Sequence, residues 1–211
     1  EVPRCKAISA CVPASLASAE VTGALASVVG AENVLTDNEA RVVHWAGRSV
    51  RDLIRTRNGD FHRVTDVVVY PGTEDEVQRL LALAEERDLV VIPFGGGTSI
   101  SGSLQAEDAE TRVVVTLDMG RMNRVLDVDE HAGLARVEAG ILGPDLEAAL
   151  GARGLTLGHV PDSFTYSTLG GWVATRSSGM QSDKYGDIAD IVKGLHLARP
   201  TGMVTLRDLP S

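Results

Sequence analysis

The residues of this sequence best suited to chemistry form one stretch, Pro93-Phe94-Gly95-Gly96-Gly97-Thr98-Ser99-Ile100-Ser101-Gly102. Three consecutive glycines carry no Cβ, so the backbone there can take φ > 0 and lie close against a ligand. Successive N–H groups in such a turn form a concave nest that holds an anion, typically a phosphate. The hydroxyls of Thr98, Ser99 and Ser101 add donors. A plain strand-to-loop turn would use glycine as well. A second stretch changes the balance. It runs Pro161-Asp162-Ser163-Phe164-Thr165-Tyr166-Ser167-Thr168-Leu169-Gly170-Gly171-Trp172, then Thr175-Arg176-Ser177-Ser178-Gly179-Met180. Its serines and threonines can hydrogen-bond a polar ligand, and its glycines permit close approach. The competing description is a solvated loop with a short helix over 168–175.

Other chemistries fit less well. The dinucleotide fingerprint asks for a third glycine where Ile100 stands and a helix where Gln105–Glu110 gives no helical pattern, although Asp118 ends a strand at a suitable distance. The P-loop fails because no lysine follows the glycines at the required place. His44, His62, His131, His159 and His196 show no i, i+4 pairing, so no metal site is expected. His159 precedes the second stretch but reads as a surface or core histidine. Asp118 reads as a strand end at a turn. Arg176 can pair with a phosphate or a carboxylate, or form a structural salt bridge. Trp172 is expected to pack between two subdomains.

These stretches need a scaffold, and the apolar pattern supplies one. Ser18–Val29 places Val21, Leu25, Val28 and Val29 on one helical face, with Gly30 as a stop. Ser49 can cap a helix whose Asp52 lies in the first turn and whose Leu53 and Ile54 look inward. Asn58-Gly59-Asp60 is a turn and a boundary. Val67–Tyr70 is a buried strand. Thr73 and Glu76 form a capping box for a helix with Val77, Leu80, Leu81 and Ala84 on its apolar stripe. Leu89–Ile92 is the next strand and delivers the chain into the glycine loop, so the crossover is parallel. Loops at strand C-terminal ends are where α/β sheets place ligands. Val113–Leu117 is a further buried strand. Val125–Val128 and Leu134–Glu138 then flank Asp129–Gly133 as an antiparallel hairpin. Pro144 opens a helix with Leu146 and Leu150 inside and Gly154 at its end. Ile191–Leu197 and Met203–Leu206 make a second hairpin. A parallel βαβ unit followed by antiparallel strands reads as two α+β subdomains sharing one ligand.

The composition is that of a soluble globular protein, with 44% hydrophobic and 23% charged residues in 211. A net charge of −9 argues against a nucleic-acid partner, which needs a basic surface. Cys5 and Cys11 match no metal or redox spacing and read as free thiols of a reducing compartment. No apolar run approaches the length of a membrane span. The sequence begins at Glu1 without methionine, so a leader can already have been removed and organellar targeting stays open.

Taken together, Pro93–Ser99, Asp162–Thr168 and Leu169–Met180 resemble the FAD-binding domain of the alkyldihydroxyacetonephosphate synthases. These belong to the vanillyl-alcohol oxidase (p-cresol methylhydroxylase) flavoprotein superfamily. The resemblance runs from about Arg41 to Met203 and includes His44–Gly59 and Val64–Tyr70. The strings Ser167–Trp172 and Thr175–Met180 are particular to the synthase branch, whereas Gly-Gly-Gly-Thr-Ser is shared with D-lactate and glycolate dehydrogenases.

The resemblance implies an α+β fold of the p-cresol methylhydroxylase type. The expected organisation is a helical segment over 1–58, a first FAD subdomain over 59–122 and a second, incomplete one over 123–211. It implies FAD held by Pro93, Phe94, Gly95, Gly96, Gly97, Thr98 and Ser99 at the pyrophosphate. Asp162, Ser163, Phe164, Thr165, Tyr166, Ser167 and Thr168 would line the flavin and ribityl chain, with Thr175, Arg176, Ser177 and Ser178 as a third contact. Relatives with covalent flavin often carry histidine in the first loop. Thr98 and Ser99 stand there, so noncovalent FAD is expected.

The family's last FAD segment, its substrate domain and its proton-transfer residues are not among these 211 residues. Catalytic residues are therefore expected beyond Ser211, and the chain alone is expected to be inactive. The implied reaction is exchange of the acyl group of acyl-dihydroxyacetone phosphate for a fatty alcohol, in ether-lipid synthesis. The implied partner is a small lipid-like substrate. A cytoplasmic or peripherally membrane-associated protein and a homodimer are compatible with the resemblance. The alternatives are an FAD-dependent 2-hydroxy-acid dehydrogenase and a non-catalytic flavin-binding module.

Overall fold

The computed structural model describes residues 8–207. Strands form where β-branched residues run together. After helix α1 (Ala19–Val29), strand β1 (Val34–Leu35) and helices α2 (Asn38–Val43) and α3 (Val50–Asn58) comes β2 (Val67–Val69). Helix α4 (Glu74–Glu86) then crosses over to β3 (Val90–Phe94), and β4 (Val114–Asp118) inserts between β2 and β3. β2, β4 and β3 are parallel, with Val68 and Ile92 both opposite Thr116, while β1 joins β2 antiparallel. Every residue of β2 is buried. That suits a parallel strand covered on both faces and explains its unbroken valine run.

Local signals set the helix starts. The side chains of Ser18, Asp37, Ser49 and Thr73 accept hydrogen bonds from the N–H groups of Val21, Ala40, Asp52 and Glu76. Each such cap contributes about 1 kcal/mol. The capping box at Thr73 is only half formed, because the Glu76 carboxylate accepts from Gly72 N–H at 2.6 Å instead of closing on Thr73. Helix α2, capped by Asp37, was not expected.

One expectation is reversed in α3. Leu53 and Ile54 face outward, and Asp52 is buried. Polar partners decide the face: Asp52 Oδ1 accepts from Gln105 Nε2 at 2.7 Å, and Thr56 Oγ1 accepts from the Trp45 indole N–H at 3.0 Å. The boundary expected at 58 does not separate packing units either. Leu25 and Val29 of α1 share one core with Val67, Val69, Leu80, Val115 and Leu117, and β1 completes the same sheet.

The second unit holds hairpin β5 (Val125–Asp129) with β6 (Leu134–Val137) and helices α5 (Gly143–Gly151), α6 (Leu169–Thr175), α7 (Ser182–Tyr185) and α8 (Ile188–Ile191). The hairpin β7 (Gly194–Arg199) with β8 (Gly202–Arg207) ends it. Ile191 closes α8 rather than opening β7, because Asp187 and Asp190 cap that turn reciprocally. Ile141, Leu146, Leu150, Trp172 and Ile188 form the second core. Trp172 therefore packs inside this unit and not between the two. The β7–β8 hairpin meets α4, where Gln78 Nε2 donates to the Arg199 carbonyl at 2.9 Å and Glu74 faces His196. Cys11 is disulfide-bonded, which corrects the free thiol expected, and Cys5 lies outside the described residues.

Candidate functional site

The glycine loop leaves the C-terminal end of β3, at the same edge as the end of β4. Gly97 takes φ +67, a conformation that favours glycine. Among the described residues, the N–H groups of Gly95, Gly96, Gly97, Thr98 and Ser99 donate to no protein acceptor. Backbone donors left without internal partners need water or a ligand, and a run of them is what an anion requires. The hydroxyls beyond them pair among themselves, with Ser99 Oγ 2.8 Å from Ser103 Oγ and 3.3 Å from Ser101 Oγ.

The second stretch closes against this loop. A Cβ on Gly96 would overlap the Tyr166 carbonyl, and one on Gly95 would overlap Thr168 Oγ1. From the glycine pattern alone that space is open to a ligand. The structure fills it with the neighbouring loop, so these two glycines are required by loop–loop contact.

Residues of the second stretch divide by role. Asp162, Thr165 and Tyr166 are exposed and free to meet a ligand. Ser163 builds the turn, its carbonyl accepting from Tyr166 N–H, Ser167 N–H and Ser167 Oγ. Phe164 stacks on Trp172 at 6.2 Å. Ser167 is buried and accepts the Trp172 indole N–H at 2.6 Å, and Thr168 caps α6. Phe94 is also buried, its ring 4.5 Å from that of His44. Pro93 is exposed. Phe94, Phe164, Ser167 and Thr168 thus shape the site with their side chains turned into the protein.

The third segment borders the second. Ser177 Oγ lies 2.8 Å from His159 Nε2, and Met180 N–H donates to the Val160 carbonyl at 2.8 Å. Thr175 Oγ1 donates to Gly171, Ser178 Oγ to Ser182, and Arg176 is exposed with φ +50. His159 is buried, which pushes its pKa down against the opposing pull of Asp187, so the ring is neutral.

Sequence reasoning missed the residues that hold the loop from behind. Arg48 N–H donates to the Ser99 carbonyl at 2.8 Å, and Gly47 lies so close that a Cβ would overlap that oxygen. His44 Nε2 is 2.8 Å from Asp118 Oδ2. No local pattern announces these pairs, because their members are far apart in sequence.

The profile of the FAD binding domain family matches residues 65–206. The alkyldihydroxyacetonephosphate synthase of Dictyostelium discoideum is 48% identical over 172 residues, which cover 82% of this chain and 28% of that protein. A solved structure of an alkyldihydroxyacetonephosphate synthase superposes with a TM-score of 0.90 at 43% identity, covering 93% of this chain and 36% of that one. A glycolate oxidase subunit of Bacillus subtilis (strain 168) is 28% identical over 183 residues, 87% of this chain and 36% of that protein. The chain thus spans little more than a quarter of the Dictyostelium relative.

Proposed function

The chain belongs to the FAD binding domain family, and from that membership we propose that it is the FAD-binding portion of an alkylglycerone-phosphate synthase-like flavoenzyme. The reaction is exchange of the acyl group of acyl-dihydroxyacetone phosphate for a fatty alcohol. The observation that carries the placement of the cofactor is the run of uncommitted amides from Gly95 to Ser99, backed by the loop that ends at Thr168. This cradle fits a pyrophosphate, which offers oxygens and no donors. The reaction class rests on the 48% identity to a synthase, set against 28% to the glycolate oxidase subunit.

In this reading the glycine-loop amides hold the pyrophosphate, with Thr98 and Ser99 hydroxyls beside them. Asp162, Thr165 and Tyr166 line the next part of the cofactor, and Thr175, Arg176, Ser177 and Ser178 complete the wall. Neutral His159 fixes the Ser177 hydroxyl and brings no charge to it. When bound, FAD supplies the covalent chemistry, and the protein supplies orientation and electrostatics.

Two measurements test the proposal. The loop from Pro93 to Ser99 contains no histidine, so acid precipitation of the full-length protein should release the yellow cofactor into the supernatant. Flavin retained in the pellet would contradict noncovalent binding. Anaerobic mixing of the full-length protein with acyl-dihydroxyacetone phosphate and a long-chain alcohol should yield ether product and leave the flavin oxidised. Lasting bleaching by D-lactate or glycolate, with no ether product, would establish the dehydrogenase instead.

Association with a membrane surface is supported by α3. Val50 and Ile54 are exposed there at 74% and 53%, beside exposed Arg48, Arg51 and Arg57, in a chain of net charge −9. An apolar face edged with cations suits an anionic lipid surface. Among the described residues, no helix is long and apolar enough to cross a membrane. Co-sedimentation of the full-length protein with phosphatidylglycerol vesicles tests this, and analytical ultracentrifugation tests the homodimer expected for the assembly.

A further inference from the structure

His44 closes α2 and is buried. Its Nδ1 lies 2.7 Å from the Ala40 carbonyl oxygen and its Nε2 2.8 Å from Asp118 Oδ2. A carbonyl and an ionised carboxylate only accept hydrogen bonds. A neutral imidazole has one N–H, so it would serve one oxygen and turn a lone pair on the other. The imidazolium serves both.

The groups around the ring agree with that state. Asp118, at the end of β4, accepts through Oδ1 from Gly120 N–H at 2.7 Å. Tyr70, just beyond β2, places its hydroxyl 3.5 Å from Nε2. Burial, and then the charges of Asp118 and Asp37, push the Tyr70 pKa up and keep it neutral. Arg121 is engaged with the Tyr70 carbonyl at 2.6 Å and with Glu76 at 3.7 Å. From β3 the ring meets uncharged Phe94.

Phe94 transmits this arrangement to the glycine loop. A Cβ on Gly97 would lie 2.5 Å from Phe94 Cζ, so the phenyl ring is the floor of the loop. The chain leaving His44 reaches the loop's other end through Arg48 and Ser99. The segment 44–48 grips the loop at both ends.

Resting on the assignment of this loop to FAD, we infer that His44, held as an imidazolium between Ala40 and Asp118, is a positioning residue of the cofactor site that fixes Phe94 and through it the amides of Gly95–Ser99. Loss of the His44 proton leaves a lone pair facing one oxygen and the Asp118 charge without its partner. The floor of the loop relaxes, and FAD affinity falls as pH rises through the ionisation of His44. The sign follows from linkage: the binding-competent loop holds the proton that the relaxed loop loses.

The test uses the full-length protein stripped of flavin. FAD dissociation constants are measured across pH, with the His44 ring followed by NMR. The wild type should lose affinity about tenfold or more, equivalent to roughly 1.4 kcal/mol, with a midpoint at the His44 titration. His44→Phe should bind weakly at every pH. Asp118→Asn should bind well with a flat profile, because its amide N–H₂ can donate to the Nε2 of a neutral ring while its oxygen still accepts from Gly120. Wild-type affinity that ignores the His44 titration, or an Asp118→Asn variant that keeps the pH dependence, would overturn the inference. Amide exchange of 94–99 in the flavin-free protein, corrected for intrinsic rates, should rise across the same titration. Exchange that stays constant there would overturn it independently of what the loop binds. A wild type that binds no FAD at any pH would instead refute the cofactor reading, so the two failures are distinguishable.

Discussion

Gly96→Ala is expected to weaken FAD binding by at least about 100-fold, equivalent to roughly 2.7 kcal/mol. The added methyl would overlap the Tyr166 carbonyl oxygen and lie 2.7 Å from its carbon and 3.0 Å from Ser167 Cα. All three are backbone atoms, so no side-chain rotation can make room. Overpacking of this kind costs about 1–3 kcal/mol or more. The second loop is the stiffer partner, because Ser167 is tied to the Trp172 indole inside the second core. The glycine loop must give way, and its amides lose their alignment. Gly23→Ala is the matching control. Its Cβ would meet nothing within 4 Å in α1, so it should leave binding unchanged and add about 0.5–1 kcal/mol of stability. Flavin fluorescence titration and urea unfolding of both variants make the comparison. Wild-type affinity in Gly96→Ala would show that the loop contact does not shape the site.

Asp66→Ala should cost about 3–5 kcal/mol of unfolding free energy, the range for removing one partner of a buried ion pair. Asp66 is completely buried. Its Oδ1 accepts from Leu16 N–H at 2.8 Å and Arg63 at 3.2 Å, and its Oδ2 accepts from Val114 N–H at 2.8 Å and from Arg63 again. One carboxylate thus ties the N-terminal segment, the approach to β2 and the start of β4. Alanine leaves the Arg63 guanidinium without its counter-charge, held only by the Glu110, Val64 and Arg112 carbonyls, and leaves two amides without acceptors, each costing about 1–3 kcal/mol if water cannot reach it. The exposed pair Arg79–Asp75 at 2.9 Å offers the contrast. Asp75→Ala there should change stability by no more than about 1 kcal/mol, since solvent screens the pair. Urea midpoints of the two variants decide the matter, and equal small shifts would remove Asp66 from its role as a hub.

The sequence alone determined what depends on near neighbours. Ser49 and Thr73 cap helices because a hydroxyl reaches an N–H only within its own turn, and those spacings are visible in one dimension. The valine runs of β2 and β4 announced strands buried on both faces. The glycine loop pointed to an anion, and the resemblance that it and the hydroxyl-rich stretch carry to a known family implied a flavin. Tertiary structure alone decided which surfaces meet. Gly96 is required by Tyr166, His44 by Asp118, Gly47 by Ser99 and Asp66 by Arg63, Leu16 and Val114 together. It also turned Asp52 inward and left Leu53 and Ile54 outside, because Gln105 supplied a donor that hydropathy does not register. Hydrophobic periodicity marks the face that leaves water where apolar area decides it, as for Val77, Leu80 and Ala84 of α4. The pairing of buried polar groups depends on where distant donors and acceptors come to lie, and only the folded chain sets that.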